Sequence, residues 1–560
     1  MPSETNHVVT TFIQVLKHLE IDTVFGLVGI PIVTLANEMI KSGIKFIPFR
    51  NEQSASYAAS AYGYLTGKPA VLLVVGGPGL IHSLAGIYNS INNRWPLLVI
   101  AGSNDNGEEQ YKGAFQELDQ ISLLNGYVKF SGKLNPHNIA QILYESYNIA
   151  IQGTYGVTYI DFPGNLIEIS NGKDEKEVEL DLPPVPRRIK YCPDPNIIKQ
   201  VGGMIETNKN KEILVVIGKG CQESSQKVNT FVDKFQLPFL PTPMAKGIIS
   251  DSHPLNVSSA RSLVLKKVSL VLVFGARLNW ILHYGESPKW NPDATFIQCD
   301  SNPETLGHNN IRGINYSLCG DIGLTIEALT HELEKKQFQY HGISYDVKEK
   351  IIVNEEKLKD LEIKQCSEPI LNYNSVYKTL REIMNLDNTF LITEGANTMD
   401  KARISFPSLH PQSRLDAGTN ATMGIGLGYT IASRLFPGNQ NKDIVLIQGD
   451  SAFGFSGMEV ETLTRLKLGA VIVIINNSGI YHGNDPESST KLTEQCRYDL
   501  VAQGLGGQGH LITTREQLKT EFTSALHDAR SHGVTTLLNV IITHGGSKSV
   551  SFAWQGKSKL

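Results

Sequence analysis

The chain of 560 residues lacks an excess of charge of either sign, because 51 Lys and Arg against 55 Asp and Glu leave a formal net charge of −4. A protein that binds the phosphate backbone of nucleic acids over a broad surface needs a basic excess. Hydrophobic residues make up 41% and charged residues 19% of the chain, a balance typical of folded globular proteins. We therefore expect a folded protein that has no nucleic-acid partner.

Cysteines are few and irregularly spaced. They form neither a Cys-x-x-Cys pair nor a zinc-ligand spacing, so we expect reduced thiols. The six positions are Cys192, Cys221, Cys299, Cys319, Cys366 and Cys496. Apolar runs of the ~20 residues that a membrane helix needs are missing. The first 20 residues have no apolar core of a secretory signal. The sequence thus predicts neither a membrane span nor secretion.

Short apolar runs rich in β-branched residues are abundant, and they end in glycine-rich or asparagine turns. Such runs are typical of strands buried on both faces of a parallel sheet. Helical patterns such as residues 52–65 lie between them, and this alternation predicts α/β sheets. The principal runs are residues 71–75, 97–100, 213–217, 268–274, 444–447 and 471–475.

Two segments are predicted to connect domains. Residues 181–188 are rich in proline, and residues 335–369 are charged and poor in strand patterns. Dividing the chain there gives blocks 1–183, 190–345 and 368–560, each of ordinary domain size. The expected fold class is therefore α/β, with three doubly wound parallel-sheet domains.

The third block contains the string GDSAFGFSGMEVETLTRLKLGAVIVIINNSG, from Gly449 to Gly479. One apolar run ends just before it, a turn follows, and we expect the next helix to begin near Gly457. The carboxyl ends of neighbouring parallel strands lie side by side, where open α/β sheets bind ligands. Asp450 and Asn477 are therefore expected to lie close together, although 477 − 450 = 27 positions separate them.

A carboxylate, an amide oxygen and a backbone carbonyl form a hard-oxygen set of low charge. Such a set suits Mg²⁺, which completes its coordination with water and phosphate oxygens. The backbone N–H groups of Ser451 and Ala452 are placed to bind those phosphate oxygens. A lone Gly-Asp turn is more often an ordinary helix N-cap. The two asparagines after the second run favour the metal site.

This string resembles the GDG…NN motif of thiamine-diphosphate enzymes, with Ser451 where the second glycine usually stands. The resemblance implies the three-domain architecture of the pyruvate-decarboxylase type, with Asp450, Asn477 and the carbonyl of Gly479 holding Mg²⁺ on the cofactor diphosphate. It also implies a homodimer or homotetramer, since two chains of such an enzyme together form one site.

In the first block, the resemblance assigns the catalytic acid to Glu52, which follows the apolar run 44–49. In these enzymes a carboxyl group bonds N1′ of the aminopyrimidine and so promotes loss of the thiazolium C2 proton. A glutamate at a helix start also has a purely structural interpretation. Met423 is implied as the apolar wedge between the cofactor rings, and the carbonyl of Ala421 as the acceptor for the 4′-amino group. The other implied cofactor contacts are Tyr373, Ala396, Asn397 and Tyr481.

Resemblance to one branch, the 2-hydroxyacyl-CoA lyases and oxalyl-CoA decarboxylases, extends over nearly the whole chain. It is carried by GGPGLIHSLAGIYNS, GAFQELDQ, FGARLNW and RLDAGTNATMGIGLGY, among other strings. Both enzymes release formyl-CoA, the lyases together with an aldehyde and the decarboxylases together with CO₂. Phe115 and Gln116 favour the lyase, because related decarboxylases carry Tyr-Glu there. An apolar pocket with Ile30 and Phe115 suits an alkyl chain, and Gln116 suits the 2-hydroxyl; the decarboxylase remains the alternative.

The second block is implied to bind the ADP part of the acyl-CoA, or a separate activating ADP. Gly218-Lys219-Gly220 and Gly275-Ala276-Arg277 follow apolar runs, although a full GxGxxG is missing. Arginines are suited to bidentate contacts with phosphates. The implied contacts are Arg261, Arg277, Asp300, Asp321 and, on the CoA phosphates, Arg403.

The last three residues, Ser558-Lys559-Leu560, match a peroxisomal import signal. For a eukaryotic protein this tripeptide predicts the peroxisome matrix as the location and the peroxisomal import receptor as a partner.

Overall fold

A computed structural model of the chain describes residues 8–105, 112–168, 180–481 and 487–544. Within these ranges, three sheets follow one another along the chain, and every strand pair in them is parallel. Helices alternate with the strands in each unit. The predicted fold class, α/β with three parallel-sheet domains, is confirmed.

The first sheet has six strands in the order β2-β1-β3-β4-β6-β5. Successive residues of β3 enter two different cores, Leu72 on one face and Leu73 on the other, so the strand is apolar throughout. The strands are β1 (Thr23–Leu27), β2 (Lys45–Pro48), β3 (Ala70–Val74), β4 (Leu97–Ser103), β5 (Phe130–Lys133) and β6 (Val157–Pro163). The helices are α1 (Val8–His18), α2 (Ile32–Lys41), α3 (Glu52–Thr66), α4 (Pro78–Asn93), α5 (Gln120–Leu124), α6 (Ile139–Ile151) and α7 (Gly164–Glu168).

The second sheet has five strands in the order β11-β10-β9-β7-β8. Its strands are β7 (Ile213–Ile217), β8 (Phe239–Pro241), β9 (Leu270–Phe274), β10 (Thr295–Asp300) and β11 (Leu318–Cys319). Its helices are α8 (Pro195–Thr207), α9 (Ser225–Phe235), α10 (Arg261–Lys267) and α11 (Ile322–Lys335).

The third sheet has six strands in the order β13-β12-β14-β15-β17-β16. Its strands are β12 (Thr389–Glu394), β13 (Arg414–Asp416), β14 (Asp443–Gly449), β15 (Val471–Asn476), β16 (Gln508–Ile512) and β17 (Thr536–Ile541). The helices that follow α11 along the chain are α12 (Tyr345–Cys366), α13 (Tyr373–Ile383), α14 (Ala396–Ser405), α15 (Gly426–Leu435), α16 (Asp450–Ser456), α17 (Glu459–Arg465), α18 (Tyr498–Gly504) and α19 (Arg515–His532).

The two segments predicted to connect domains differ in structure. Residues 181–188 contain neither helix nor strand. The charged segment 335–369, in contrast, contains the 22-residue helix α12. Its lysines and glutamates are good helix formers, so a sequence poor in strand patterns is helical here. The domain boundaries 1–183, 190–345 and 368–560 themselves stay a prediction.

The first and third sheets share one hydrophobic core, in which α3 packs against α15. The two helices approach to backbone contact at Gly428, where a Cβ atom would lie 2.7 Å from the carbonyl oxygen of Ser54. Only glycine fits this approach, because a Cβ at that distance would overlap the oxygen. Helix α3, which follows β2, and helix α15, which precedes β14, are therefore in rigid contact within one chain.

Candidate cofactor site and interdomain cleft

Asp450 lies directly after β14, as the first residue of α16, and its side chain is buried. Its Oδ1 accepts a hydrogen bond from the N–H of Ser451 at 2.8 Å, and its Oδ2 accepts one from the N–H of Gly479 at 3.0 Å. Burial raises the pKa of Asp450 to about 6. The structure thus brings Asp450 to the loop after β15, as the sequence predicts.

The start of α16 corrects one expectation. The helix begins at Asp450, not near Gly457, because Ala452 and Phe453 already pack as its buried face. The N–H of Ser451, expected to bind phosphate, donates to Asp450 instead.

Two asparagine amides converge beside Asp450. The side-chain nitrogen of Asn477 donates to the carbonyl oxygen of Tyr481 at 2.9 Å, and that of Asn397 donates to the same oxygen at 3.2 Å. An amide whose nitrogen is held in this way presents its oxygen on its other branch. Carboxylate and amide oxygens are ligand types that suit Mg²⁺, so Asp450 and Asn477 fit a magnesium–diphosphate group.

Tyr373 and Ala396 lie at the same edge of the third sheet. They are the first residues of α13 and α14, and the hydroxyl of Tyr373 lies 3.4 Å from Oγ1 of Thr398. Burial raises the pKa of Tyr373 to about 12, with a contribution from the charge of Asp450. Both residues therefore border the predicted diphosphate end.

The loop with Ala421 and Met423 is held by a buried acid, Glu394. Its carboxylate accepts the N–H groups of Gly424, of Ile425 at 3.2 Å and of Gly426 at 2.7 Å. Burial raises the pKa of Glu394 to about 7. Glu394 thus holds the main chain of the loop just after Met423.

Asn420, in the same loop, has a side-chain nitrogen that is buried and has no partner within the described residues. An unpaired buried donor costs free energy, so this donor fits a site that a polar ligand completes.

Glu52 is the first residue of α3 and is 8% exposed. Asn51 caps this helix by accepting the N–H of Gln53 at 2.7 Å. Oε2 of Glu52 lies 3.3 Å from Nδ1 of His82, on α4. His82 is a neighbour that the sequence reasoning missed, although it stands in the string GGPGLIH.

Gln116 lies next to the turn that leads from β3 into α4. A Cβ atom on Gly77 of this turn would lie 2.7 Å from the carbonyl oxygen of Gln116. The turn therefore places Gln116 at the same sheet edge as Glu52. Phe115 and Ile30 are 72% and 68% exposed.

Within one chain, the helix that begins at Glu52 contacts the Met423 loop, because the hydroxyl of Tyr57 donates to the carbonyl of Met423 at 3.4 Å. In the ranges that the structure describes, neither a hydrogen bond nor an ion pair joins Glu52 to Asp450, Asn477 or Met423. Glu52 belongs to the first unit of the chain and Asp450 to the third.

A cleft of about 570 Å³ opens between the three sheets, lined by residues of all three units. Three predicted nucleotide contacts, Arg277, Asp300 and Asp321, lie in its wall. Lys219 is there too; burial keeps its pKa well below the ordinary value, and its Nζ donates to Oδ1 of Asn93 at 3.0 Å. Cationic groups together with acidic ones match the phosphates and ribose of a nucleotide.

Arg277 links this cleft to the Met423 loop. One guanidinium nitrogen donates to the carbonyl of Asn92 at 2.6 Å and to Oγ1 of Thr419 at 3.2 Å. The indole N–H of Trp280 donates to the carbonyl of Thr419 at 2.9 Å. The cleft wall and the loop are therefore one hydrogen-bonded unit.

Two predicted arginine contacts lie outside the cleft wall. Arg403 donates to Oδ2 of Asp416 at 2.8 Å and to Oδ1 of Asp400 at 3.0 Å. Arg261 donates to the carbonyl of Ile281 at 2.8 Å. Their contacts to a nucleotide stay a prediction.

The predicted import signal, Ser558-Lys559-Leu560, lies outside the described residues. His544, the last described residue, contacts the carbonyl of Asn477 through Nδ1 at 2.9 Å. None of the helices that the structure describes combines the length and apolar character that crossing a membrane requires.

Comparison with known proteins agrees with the three-unit fold. Family models of thiamine pyrophosphate enzymes match the chain at residues 6–123 (N-terminal TPP-binding domain), 200–329 (central domain) and 394–540 (C-terminal TPP-binding domain). A solved structure from Mycobacterium smegmatis, described as a thiamin diphosphate-dependent enzyme, has the same fold; its TM-score is 0.76 at 18% identity, covering 96% of this chain and 99% of that one.

Three relatives match over nearly their full lengths. The 2-hydroxyacyl-CoA lyase of Saccharomyces cerevisiae is 55% identical, covering 98% of this chain and 99% of its own. The human 2-hydroxyacyl-CoA lyase 1 is 37% identical, covering 98% and 96%. The oxalyl-CoA decarboxylase of Escherichia coli K12 is 34% identical, covering 95% and 94%. The chain therefore belongs to the family of thiamine-pyrophosphate-dependent carbon–carbon lyases that includes the 2-hydroxyacyl-CoA lyases and oxalyl-CoA decarboxylases.

Proposed function

We propose that the protein cleaves a 2-hydroxyacyl-CoA to formyl-CoA and an aldehyde. The observation that carries this proposal is the 55% identity over the whole chain to a protein named 2-hydroxyacyl-CoA lyase, against 34% to a named oxalyl-CoA decarboxylase. The exposed ring of Phe115 supports it, because an apolar wall suits an alkyl chain better than a second carboxylate.

Bound thiamine diphosphate supplies a nucleophilic carbon and stores the electron pair released when the carbon–carbon bond breaks. Side chains of the protein supply proton transfer and hydrogen bonding to the substrate. Glu52 holds a proton at the acid end, with His82 within 3.3 Å to exchange protons with it. Gln116 bonds the 2-hydroxyl of the substrate. As the bond between C1 and C2 breaks, the hydroxyl loses its proton and becomes the aldehyde, and C1 gains a proton in formyl-CoA.

We assign the metal end to Asp450, Asn477 and the carbonyl of Gly479, with Mg²⁺ as the ion. The supporting observation is the donor set, one buried carboxylate and one oriented amide oxygen at a single sheet edge. Tyr373, Ala396, Asn397, Ser451, Ala452 and Tyr481 surround this end, and Ala421 and Met423 take the thiazolium side.

The interdomain cleft is proposed to bind the ADP part of the substrate, or ADP as a separate activator. Arg277 and Lys219 would take the phosphates, and Asp300 and Asp321 the ribose or base. Support comes from their shared cleft wall. The acid then lies in block 1–183, the proposed nucleotide contacts in block 190–345 and the metal ligands in block 368–560.

We propose a homodimer as the smallest active unit, with a homotetramer as the larger alternative. Within the described residues, no hydrogen bond or ion pair joins Glu52 to Asp450, and apolar side chains are exposed near both of them. Ile81 and Tyr88 of α4 are 43% and 52% exposed, and Phe455 and Met458 are each 52% exposed. A second copy that covers these side chains would also complete the site.

The peroxisome matrix is the proposed location, with the import receptor as the partner. It rests on the terminal Ser-Lys-Leu alone. A fluorescent fusion at the amino terminus should be punctate in yeast cells and diffuse once these three residues are deleted.

The deciding experiment compares two substrates under identical conditions. Purified protein with thiamine diphosphate and Mg²⁺ receives 2-hydroxyhexadecanoyl-CoA or oxalyl-CoA, and formyl-CoA and the aldehyde are measured by mass spectrometry. We expect formyl-CoA and pentadecanal, with kcat/KM at least about tenfold above that for oxalyl-CoA. Formyl-CoA from oxalyl-CoA alone would assign the decarboxylase instead.

A further inference from the structure

A buried glutamate outside the predicted site contacts the segment that leads to Glu52. Glu459 is the first residue of α17, in the third unit, and is 1% exposed. Its Oε1 and Oε2 accept the N–H of Arg50 at 3.2 and 3.3 Å. Oε2 also accepts the hydroxyl of Thr462 at 2.7 Å. The carboxylate thus binds main chain of the first unit, 409 positions away.

The same helix holds the other end of that segment. Nη2 of Arg465 donates to the carbonyl of Pro48, the last residue of β2, at 2.8 Å, and its Nε donates to Glu461 at 2.9 Å. Residues 48–51 are therefore fixed at both ends by α17. A segment held at both ends leaves the following helix little freedom to shift.

That following helix is α3, whose first residue is Glu52. Asn51 lies between the two features: its side chain caps α3, and its N–H is a further hydrogen-bond donor to Glu459. The main-chain position of Glu52 is therefore set by contacts to Arg50 and Asn51, both of which lead to Glu459.

The surroundings of Glu459 are unusual for a buried acid. Its partners are main-chain N–H groups and one hydroxyl, and the other charged groups near it, Glu461 and Arg465, pair with each other. Burial raises the pKa of Glu459 to about 7. Burying a carboxyl group without a cationic partner costs free energy. A residue that only capped the exposed segment 50–51 would not need to be a buried acid.

We propose that Glu459 is a positioning residue that holds Glu52 at the place where the acid meets the cofactor ring. The proposal rests on the proposed function of Glu52. Glu459 itself touches neither substrate nor cofactor, and it acts through the main chain of residues 50–51.

The test uses full-length protein with Glu459→Ala, Glu459→Gln and the control Glu516→Gln, an exposed glutamate of α19. Amide hydrogen exchange of the cofactor-free protein is followed by mass spectrometry in peptides covering residues 49–56. Loss of hydrogen bonds to a charged acceptor should speed this exchange about tenfold or more in Glu459→Ala. Glu459→Gln keeps an acceptor oxygen, so its exchange rate should lie between that of Glu459→Ala and that of the unchanged control.

Turnover gives the second readout. We expect kcat of Glu459→Ala to fall about tenfold or more with KM within about twofold, and Glu459→Gln to recover part of kcat, because the substrate contacts are untouched. Thermal unfolding identifies variants that fold; if Glu459→Ala does not fold, the nearly isosteric Glu459→Gln carries the test.

Folded variants with unchanged exchange over residues 49–56 would overturn the proposal. Faster exchange with unchanged kcat would overturn it too. Failure of the proposed function looks different, because wild-type protein would then cleave neither acyl-CoA while the exchange shift, measured without cofactor, would still appear.

Discussion

The main-chain N–H of Gly479 donates to Oδ2 of Asp450 across 3.0 Å, and this bond joins the turns after two neighbouring strands, β14 and β15. It brings a carboxylate, an amide oxygen and a backbone carbonyl to one sheet edge. This bond therefore fixes the positions of the residues that we propose as metal ligands.

Asp450→Asn keeps the size of the side chain and removes its charge. We expect the affinity for thiamine diphosphate in the presence of Mg²⁺ to fall at least about tenfold, because Asp450 is the one carboxylate among the proposed metal ligands. Titration of intrinsic fluorescence measures this affinity. The exposed Asp387 offers a control, since Asp387→Asn should bind normally; equal affinity in both variants would refute the ligand role of Asp450.

Glu52→Gln should leave cofactor binding within about threefold of wild type and lower kcat about 10²- to 10⁴-fold, the usual contribution of a proton-transfer group. Steady-state kinetics and a binding titration separate the two effects. Glu145→Gln, an exposed change on α6, is the matched control. A variant at Glu52 that turns over at the wild-type rate would remove the acid from the mechanism.

Arg277→Ala should weaken binding in the cleft. A charge-assisted bond to phosphate is worth about 1.5–3 kcal/mol, so the Kd for ADP should rise about ten- to a hundredfold. Equilibrium dialysis with labelled ADP measures it, and Arg312→Ala, an exposed arginine, is the control. If ADP binds the variant as it binds wild type, the nucleotide does not occupy this cleft.

Gly428→Ala places a methyl group 2.7 Å from the carbonyl of Ser54, where α3 and α15 touch. Overpacking of this kind costs about 1–3 kcal/mol of the free energy of unfolding. Gly203→Ala on α8 meets no atom within 4 Å, and there alanine should stabilise by about 0.5–1 kcal/mol. Urea unfolding curves compare them; a loss of stability of the same size in both would refute the contact argument.

Glu394 makes stability depend on pH. Burial raises its pKa from 4.5 to about 7, so between these values the folded protein keeps a proton that the unfolded chain loses. The free energy of unfolding should therefore fall as pH rises through this window, by roughly 3 kcal/mol from this group. Urea unfolding at pH 5 and pH 7.5 measures the change, which should be smaller in Glu394→Gln. An equal change in both proteins would contradict the assignment.

Several site residues could be predicted from local patterns. Asp450 and Asn477 follow apolar runs that can only be buried parallel strands, and parallel strands bring their carboxyl ends together. Glu52 follows such a run as well. Arg403 shows the limit, because no local pattern predicts that the folded chain pairs it with Asp416 and Asp400.

The sequence by itself determined the parallel α/β class and the alternation of buried strands with helices, because these depend on patterns within some 30 positions of the chain. Only the tertiary structure decided that Glu394 supports a loop, that His82 faces Glu52, and that Glu459 holds the segment before Glu52. The last contact joins residues 409 positions apart. Such contacts depend on how whole units dock, and no local periodicity encodes that docking.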